Sequence, residues 1–201
     1  MKDLVVFLVF AMSGITIGAA LKCIKCSADG KEDCTGSSIQ CENKNDFCIR
    51  KISHSIRNGT EKPKVTKGCL NVSKVCNSII PLTSNDFRSL AYTKCCHKDN
   101  CNNGTLKLPN IKSRSNGLRC PSCLEEGSNK CYRHKTVVCN DSEHKCFVFI
   151  GEAKRPGKED VKYYMSGCTT KLACDFSRGA LGGPMGEHPR TVFCSEARKA
   201  G

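Results

Sequence analysis

The chain of 201 residues has no tryptophan, 8 phenylalanines, 4 tyrosines, and only 19 acidic residues against 32 basic ones. With so few large side chains, hydrophobic burial alone does not hold a small domain together. No long amphipathic helix is legible, which leaves strands and turns. No Gly-rich phosphate loop and no calcium-loop pattern is present. The five histidines, His54, His97, His134, His144 and His188, are scattered. They form no visible set with serine and a carboxylate, and His97 beside Asp99 reads as a solvated loop rather than an acid–base pair. The sequence therefore offers no catalytic, cofactor-binding or metal-binding residue, and the expectation is a protein that binds rather than catalyses.

What the chain has in abundance is cysteine, 18 residues in all. Met1-Lys2-Asp3, an apolar run from Leu4 to Met12, and small residues ending at Gly18-Ala19-Ala20 read as a secretory signal peptide, residues 1–20. The apolar run is too short and interrupted to favour a membrane span. In an oxidising compartment clustered cysteines read as disulfides, and about one residue in ten of the mature chain is cysteine. Cys23-Ile24-Lys25-Cys26 and Cys120-Pro121-Ser122-Cys123 would suggest zinc or thiol redox chemistry in a cytosolic protein; here the structural reading prevails.

The cysteines repeat. From Cys23 to Cys95 the successive intervals are 3, 8, 7, 7, 21, 7 and 19; from Cys120 to Cys194 they are 3, 8, 8, 7, 22, 6 and 20. No interval differs by more than one, which marks a tandem duplication. Each module reads as strand and turn. In the first, Phe47–Ile52 and Val65–Leu70 flank Arg57-Asn58-Gly59-Thr60, and Asn-Gly is a hairpin-turn signal. In the second, Cys146–Ile150 and Val161–Met165 flank a tip at Arg155-Pro156-Gly157-Lys158. Gly68-Cys69 and Gly167-Cys168 occupy matching places. Residues 103–119 contain no cysteine and read as an exposed basic linker open to proteolysis.

The basic excess is spread evenly: residues 21–110 carry 15 basic and 8 acidic groups, residues 111–201 carry 16 and 10. Lys62, Lys64 and Lys67 form one local cluster and Lys154, Arg155 and Lys158 another. Such charge steers acidic partners toward the surface, which outside the cell means sulfated glycosaminoglycans, anionic membranes or acidic proteins, and not nucleic acid. Four glycosylation sequons begin at Asn58, Asn71, Asn103 and Asn140.

The stretch Cys95-Cys96-His97-Lys98-Asp99-Asn100-Cys101-Asn102 carries the most specific signal. Adjacent cysteines do not readily bridge each other, so each needs its own partner, and Cys101 is close enough to serve one of them. The whole of residues 21–102 resembles the LU domain, the three-finger module of the lymphocyte-antigen and urokinase-receptor family. That resemblance implies an all-β, disulfide-rich fold of two tandem three-finger, snake-toxin-like domains, residues 21–102 and 120–201. It implies pairing of Cys23 with Cys48, Cys26 with Cys34, Cys41 with Cys69, Cys76 with Cys95, and Cys96 with Cys101. In the second module it implies Cys120 with Cys146, Cys123 with Cys131, Cys139 with Cys168, and Cys174 with Cys194. It also assigns Asn102 a structural role, bonding backbone near the domain's crown.

The second module departs from this pattern. After Cys194 there is no second cysteine of a pair and no Cys-Asn, so this end is expected to be looser. No hydrophobic tail for a glycolipid anchor follows, so the expectation is a soluble, secreted protein. Tandem modules, the first complete and the second truncated, resemble the gamma-type phospholipase A2 inhibitors; so do Cys120-Pro121 and Val192-Phe193-Cys194-Ser195-Glu196-Ala197. The resemblance implies inhibition of a secreted phospholipase A2, and homo-oligomers are common in that group. A signalling or carrier protein that binds a cell-surface receptor or a glycosaminoglycan is the alternative.

Overall fold

The computed structural model describes residues 20–57, 59–111, 113–153, 161–175 and 191–199. The expected signal peptide lies, up to residue 19, outside the described residues. The fold is all-β and rich in disulfides. The first module is built from β1 (Lys22–Asp29), β2 (Ser37–Gln40), β3 (Phe47–Arg57), β4 (Thr60–Leu70), β5 (Ser78–Thr83) and β6 (Phe87–Cys96). They form three antiparallel hairpins, β1–β2, β3–β4 and β5–β6. β3 is central and pairs with both β4 and β6. Arg57 pairs with Thr60, leaving a two-residue turn in which Gly59 has φ +73°. That region costs glycine nothing because it has no Cβ. Asn58 lies outside the described residues.

The second module comprises β7 (Ser115–Glu126), β8 (Lys135–Asn140), β9 (Lys145–Ala153), β10 (Val161–Thr169), β11 (Thr191–Glu196) and β12 (Arg198–Lys199). One short helix, α1 (Lys171–Asp175), follows β10. The tip of the β9–β10 hairpin, with Lys154, Arg155 and Lys158, lies outside the described residues, as does His188. β7 starts inside the stretch read as linker. Ser115-Asn116-Gly117 looks like a turn, and Gly117 does have φ +77°, but it sits within a register shift between Ser115 and Arg119 on β8. A bulge of this kind keeps a strand paired across turn-forming residues.

The described residues contain nine disulfides. Those of the first module join Cys23–Cys48, Cys26–Cys34, Cys41–Cys69, Cys76–Cys95 and Cys96–Cys101. Those of the second join Cys120–Cys146, Cys123–Cys131, Cys139–Cys168 and Cys174–Cys194. Sulfur makes the crown cores. Cys23, Cys41 and Cys48 are buried together in one, and Cys120, Val137, Cys139, Cys146 and Cys168 in the other. The Cys23 and Cys41 sulfurs are 3.2 Å apart, and those of Cys139 and Cys120 3.5 Å, so neighbouring bridges pack against each other. This packing supplies what the missing aromatic side chains do not.

The end of the second module is tied rather than loose. β12 pairs with β7, Arg198 opposite Arg119 and Lys199 opposite Leu118. The Ala197 N–H donates to the His144 carbonyl at 3.0 Å, and Ala197 packs on the sulfur core. In the first module the disulfide loop after β6 bonds to β1 through the Asn100 N–H and the side chains of Asp99 and Asn102. In the second, a two-residue strand performs the same attachment with backbone alone.

Candidate functional site

Asn102 is fully buried. Its Oδ1 accepts from the Ile24 N–H at 2.9 Å, and its Nδ2 donates to the carbonyls of Ile24 at 2.8 Å and Ile49 at 3.1 Å. One side-chain amide thus bridges β1 and β3, which share no backbone ladder. His97 packs against the Phe47 ring at 4.1 Å between centroids, while Asp99 accepts from the Lys22 N–H at 2.9 Å. The two therefore serve separate structural contacts. The cysteine triplets that resemble metal sites, such as Cys23, Cys41 and Cys69, are all disulfide-bonded.

The junction between modules is where the structure adds most. Thr83 pairs with Cys168 and Leu82 with Thr169, so β5 of the first module and β10 of the second are neighbours in one sheet. The Thr169 hydroxyl donates to the Pro81 carbonyl at 2.9 Å. At the tip of β5–β6 the Ser84 and Ser122 hydroxyls are 2.8 Å apart, and the Asn85 N–H donates to the Ser122 hydroxyl at 2.9 Å. Leu82 and Phe87 pack on Phe147, Phe149 and Tyr163. Four of the scarce aromatic residues, Phe87, Phe147, Phe149 and Tyr163, meet here. Leu82 and Phe87 are partly buried, and each contributes a fraction of the about 1.5–3 kcal/mol of a fully buried side chain toward holding the modules together. The tip of the first module's third finger is occupied by docking.

Glu143 closes the junction from the second module. It is 2% exposed, and its carboxylate accepts from the Thr83 hydroxyl at 2.6 Å and from the Asn140 N–H at 2.8 Å. Burial pushes its carboxyl above the usual glutamate value, against the opposing pull of those donors and of Arg88. A raised folded-state value means the folded protein holds the proton more tightly. This group's contribution to stability is therefore greatest below the ordinary value of about 4.5 and declines as pH rises through the folded value. Glu143→Gln is expected to flatten that decline. Melting curves taken between mildly acidic and neutral pH check it: parallel slopes for the two proteins would refute the assignment. Asp33 has the opposite sign, since hydrogen bonding to Lys67 holds its carboxyl low.

The lysine cluster read from the sequence is divided by the strand. Lys62 and Lys64 pair with Ser55 and Ser53, but Lys67 pairs with Arg50 on the other face. Lys67 is buried and bonds to the Asp33 carboxylate at 2.7 Å and the Cys34 carbonyl at 3.0 Å. Lys64 is paired with Asp29 at 3.0 Å. Lys51, which sequence reasoning missed, shares the face of Lys64, and burial, aided by the Lys64 charge, lowers its ammonium pKa. Of the described sequon asparagines, Asn71 and Asn103 are exposed, whereas the half-buried Asn140 spends its Nδ2 on Glu143 at 3.4 Å.

The connecting segment is a strap rather than a free linker. Arg50 donates to the carbonyls of Asn103 at 2.9 Å and Thr105 at 3.2 Å, Leu106 is buried, and Arg88 bonds to the Ser113 hydroxyl. The Arg114 carbonyl accepts from the Asp141 N–H at 2.8 Å.

Three hairpins in the first module, two in the described part of the second, crowns of packed disulfides and one crown asparagine define a recognisable module. The profile of the u-PAR/Ly-6 domain matches residues 19–104 and 116–195. The chain belongs to the u-PAR/Ly-6 domain family. Its u-PAR/Ly-6 relatives include a phospholipase A2 inhibitor of the gamma type from Gloydius brevicaudus siniticus, 28% identical over 90% of each chain. A second gamma-type phospholipase A2 inhibitor, from Trimerodytes annularis, is 27% identical over 74% of this chain and 80% of its own. The urokinase plasminogen activator surface receptor of Aotus trivirgatus is 29% identical over 77% of this chain, which spans 46% of the receptor. Among the described residues of this u-PAR/Ly-6 protein no helix is long and apolar enough to cross a membrane.

Proposed function

We propose that this u-PAR/Ly-6 protein is secreted, has no catalytic activity, and inhibits a secreted phospholipase A2 by covering its surface. The observation that carries this reading is full-length similarity, over 90% of both chains, to a protein named as such an inhibitor. The fold supports it physically. The modules share one sheet, so the free fingers are presented in a fixed relation and binding costs little ordering. Tyr132 is 71% exposed and Phe193 58% exposed, and aromatic side chains of this kind anchor protein interfaces. The inhibitor closes the enzyme's active-site mouth or its membrane-docking face by occupying it.

Titration against a panel of secreted phospholipases tests this. Stoichiometric inhibition of at least one enzyme is expected, with the Tyr132→Ala/Phe193→Ala double variant at least about tenfold weaker. No binding at micromolar protein would sink the proposal. Retention on heparin near physiological salt, without any enzyme bound, would favour the glycosaminoglycan reading instead.

A further inference from the structure

The strap roofs a cavity of about 570 Å³ on one face of the first module's sheet. That volume lies inside the range of about 300–1,000 Å³ typical of small-molecule sites. Its floor is Ile56, Ile79, Pro81 and Leu90, and the strap contributes Leu108 and Ile111. Strand parity explains the floor. Ile56 pairs with Arg88, His54 with Leu90, and Leu90 with Pro81, so these residues share a face across β3, β6 and β5. Ile56 and Ile111 are each 39% exposed, two of four large hydrophobic residues that stand exposed among those described.

The polar groups restrict the occupant. Glu61, Asp141 and Glu143 line the cavity, which disfavours an anion. Each already has donors. Glu61 bonds to His54 Nδ1, Asp141 accepts from the Arg114 N–H at 3.2 Å, and Glu143 from Thr83 and Asn140. These bonds engage oxygens of each group without cancelling its charge, so an amine is the rival occupant that the test must separate. Arg88 is held on Ser113. Among the buried side-chain polar atoms of the described lining, His54 Nε2 has no hydrogen-bond partner. A carboxylate only accepts, so the His54–Glu61 bond puts a proton on Nδ1, and in the tautomer with that single proton Nε2 is an acceptor.

We propose that this cavity binds a neutral apolar small molecule that carries a hydroxyl group, with the chain on the isoleucine and leucine floor and the hydroxyl donating to His54 Nε2. The inference stands independently of enzyme inhibition, because the cavity lining includes neither Tyr132 nor Phe193, the aromatic residues assigned to the enzyme contact.

A matched set of probes with one chain length tests it: decane, decanol, decanoate and decylamine. Each is titrated into the full-length protein with isotope-labelled isoleucine methyl groups and followed by NMR. Decanol is expected to shift the Ile56, Ile79 and Ile111 methyl signals saturably, and to bind about fivefold tighter than decane and more tightly than either charged probe. His54→Leu should reduce decanol to the level of decane while leaving decane unchanged. Ile56→Arg with Ile111→Arg, both at exposed positions, should abolish the shifts at Ile79. No saturable shift with decanol up to its solubility limit overturns the site. Tightest binding by decanoate or decylamine, or an unchanged decanol affinity in His54→Leu, overturns the assigned ligand chemistry.

Discussion

Asn102→Ala is expected to destabilise the protein by about 3–4 kcal/mol, measured by guanidinium unfolding with all disulfides intact. The substitution removes little volume. Its cost comes from what the amide leaves behind: the Ile24 N–H and the carbonyls of Ile24 and Ile49, all of which it bonds at 2.8–3.1 Å in a fully buried position. An abandoned buried polar group costs about 1–3 kcal/mol, and no water reaches a site with zero exposure without rearrangement. Asn102→Asp separates hydrogen bonding from packing. It keeps the shape, removes both N–H donors and turns a carboxylate toward two carbonyl oxygens. It should be at least as damaging at neutral pH and recover partly in acid, where the protonated carboxyl regains one donor. A loss below about 1 kcal/mol for Asn102→Ala, the ordinary size of a surface substitution effect, would mean that the disulfide crown alone fixes β1 against β3.

Gly167→Ala is expected to pry the modules apart. A Cβ on Gly167 would stand 2.1 Å from the Thr83 carbonyl oxygen and 3.3 Å from the Ser84 Cα. Both are backbone atoms, so neither yields by a rotamer change. β10 must withdraw from β5, and the Thr83–Cys168 and Leu82–Thr169 pairings, the Thr169–Pro81 hydrogen bond and the Thr83–Glu143 contact weaken together. The expected cost is about 2–3 kcal/mol, the range of a forced overpacking. A larger radius in small-angle scattering and faster proteolysis of residues 103–114 should accompany it. Gly68→Ala is the internal control. Gly68 fills the matching place in the first module, but nothing lies within 4 Å of the Cβ it would acquire. Loss of the unfolded chain's extra freedom makes this substitution neutral or slightly stabilising, by about 0.5 kcal/mol. Equal effects at the two glycines would show that the junction is not what Gly167 is for.

The contrast between these glycines shows where sequence reading reaches its limit. Gly68-Cys69 and Gly167-Cys168 are the same dipeptide at the same place in a repeat, and no local rule separates them. Only the docking of β5 on β10 does. The lysines are different. Period-two alternation already places Lys62 and Lys64 on one face of a strand and Lys67 on the other, so the apparent cluster was separable from the sequence alone. The burial of Lys67 against Asp33 and Cys34 was not. Residues 115–119 read as linker because a β-bulge uses the same turn-forming residues as a loop, and only the pairing of Ser115 and Arg119 with β8 decides between them.

The duplication, the finger hairpins and a disulfide-based core are legible in the amino-acid order. These follow from cysteine spacing, from β-favouring runs and from Asn-Gly, all of which act within a few tens of residues. Only the folded chain reveals that two modules share one sheet, that Glu143 and Gly167 seal the junction, and that the described residues of the connecting segment line a cavity. Those features arise where a strand edge of one module meets a strand edge of the other. Strand edges recognise each other by backbone hydrogen bonds that every residue type supplies, so composition and periodicity leave no record of which edges meet.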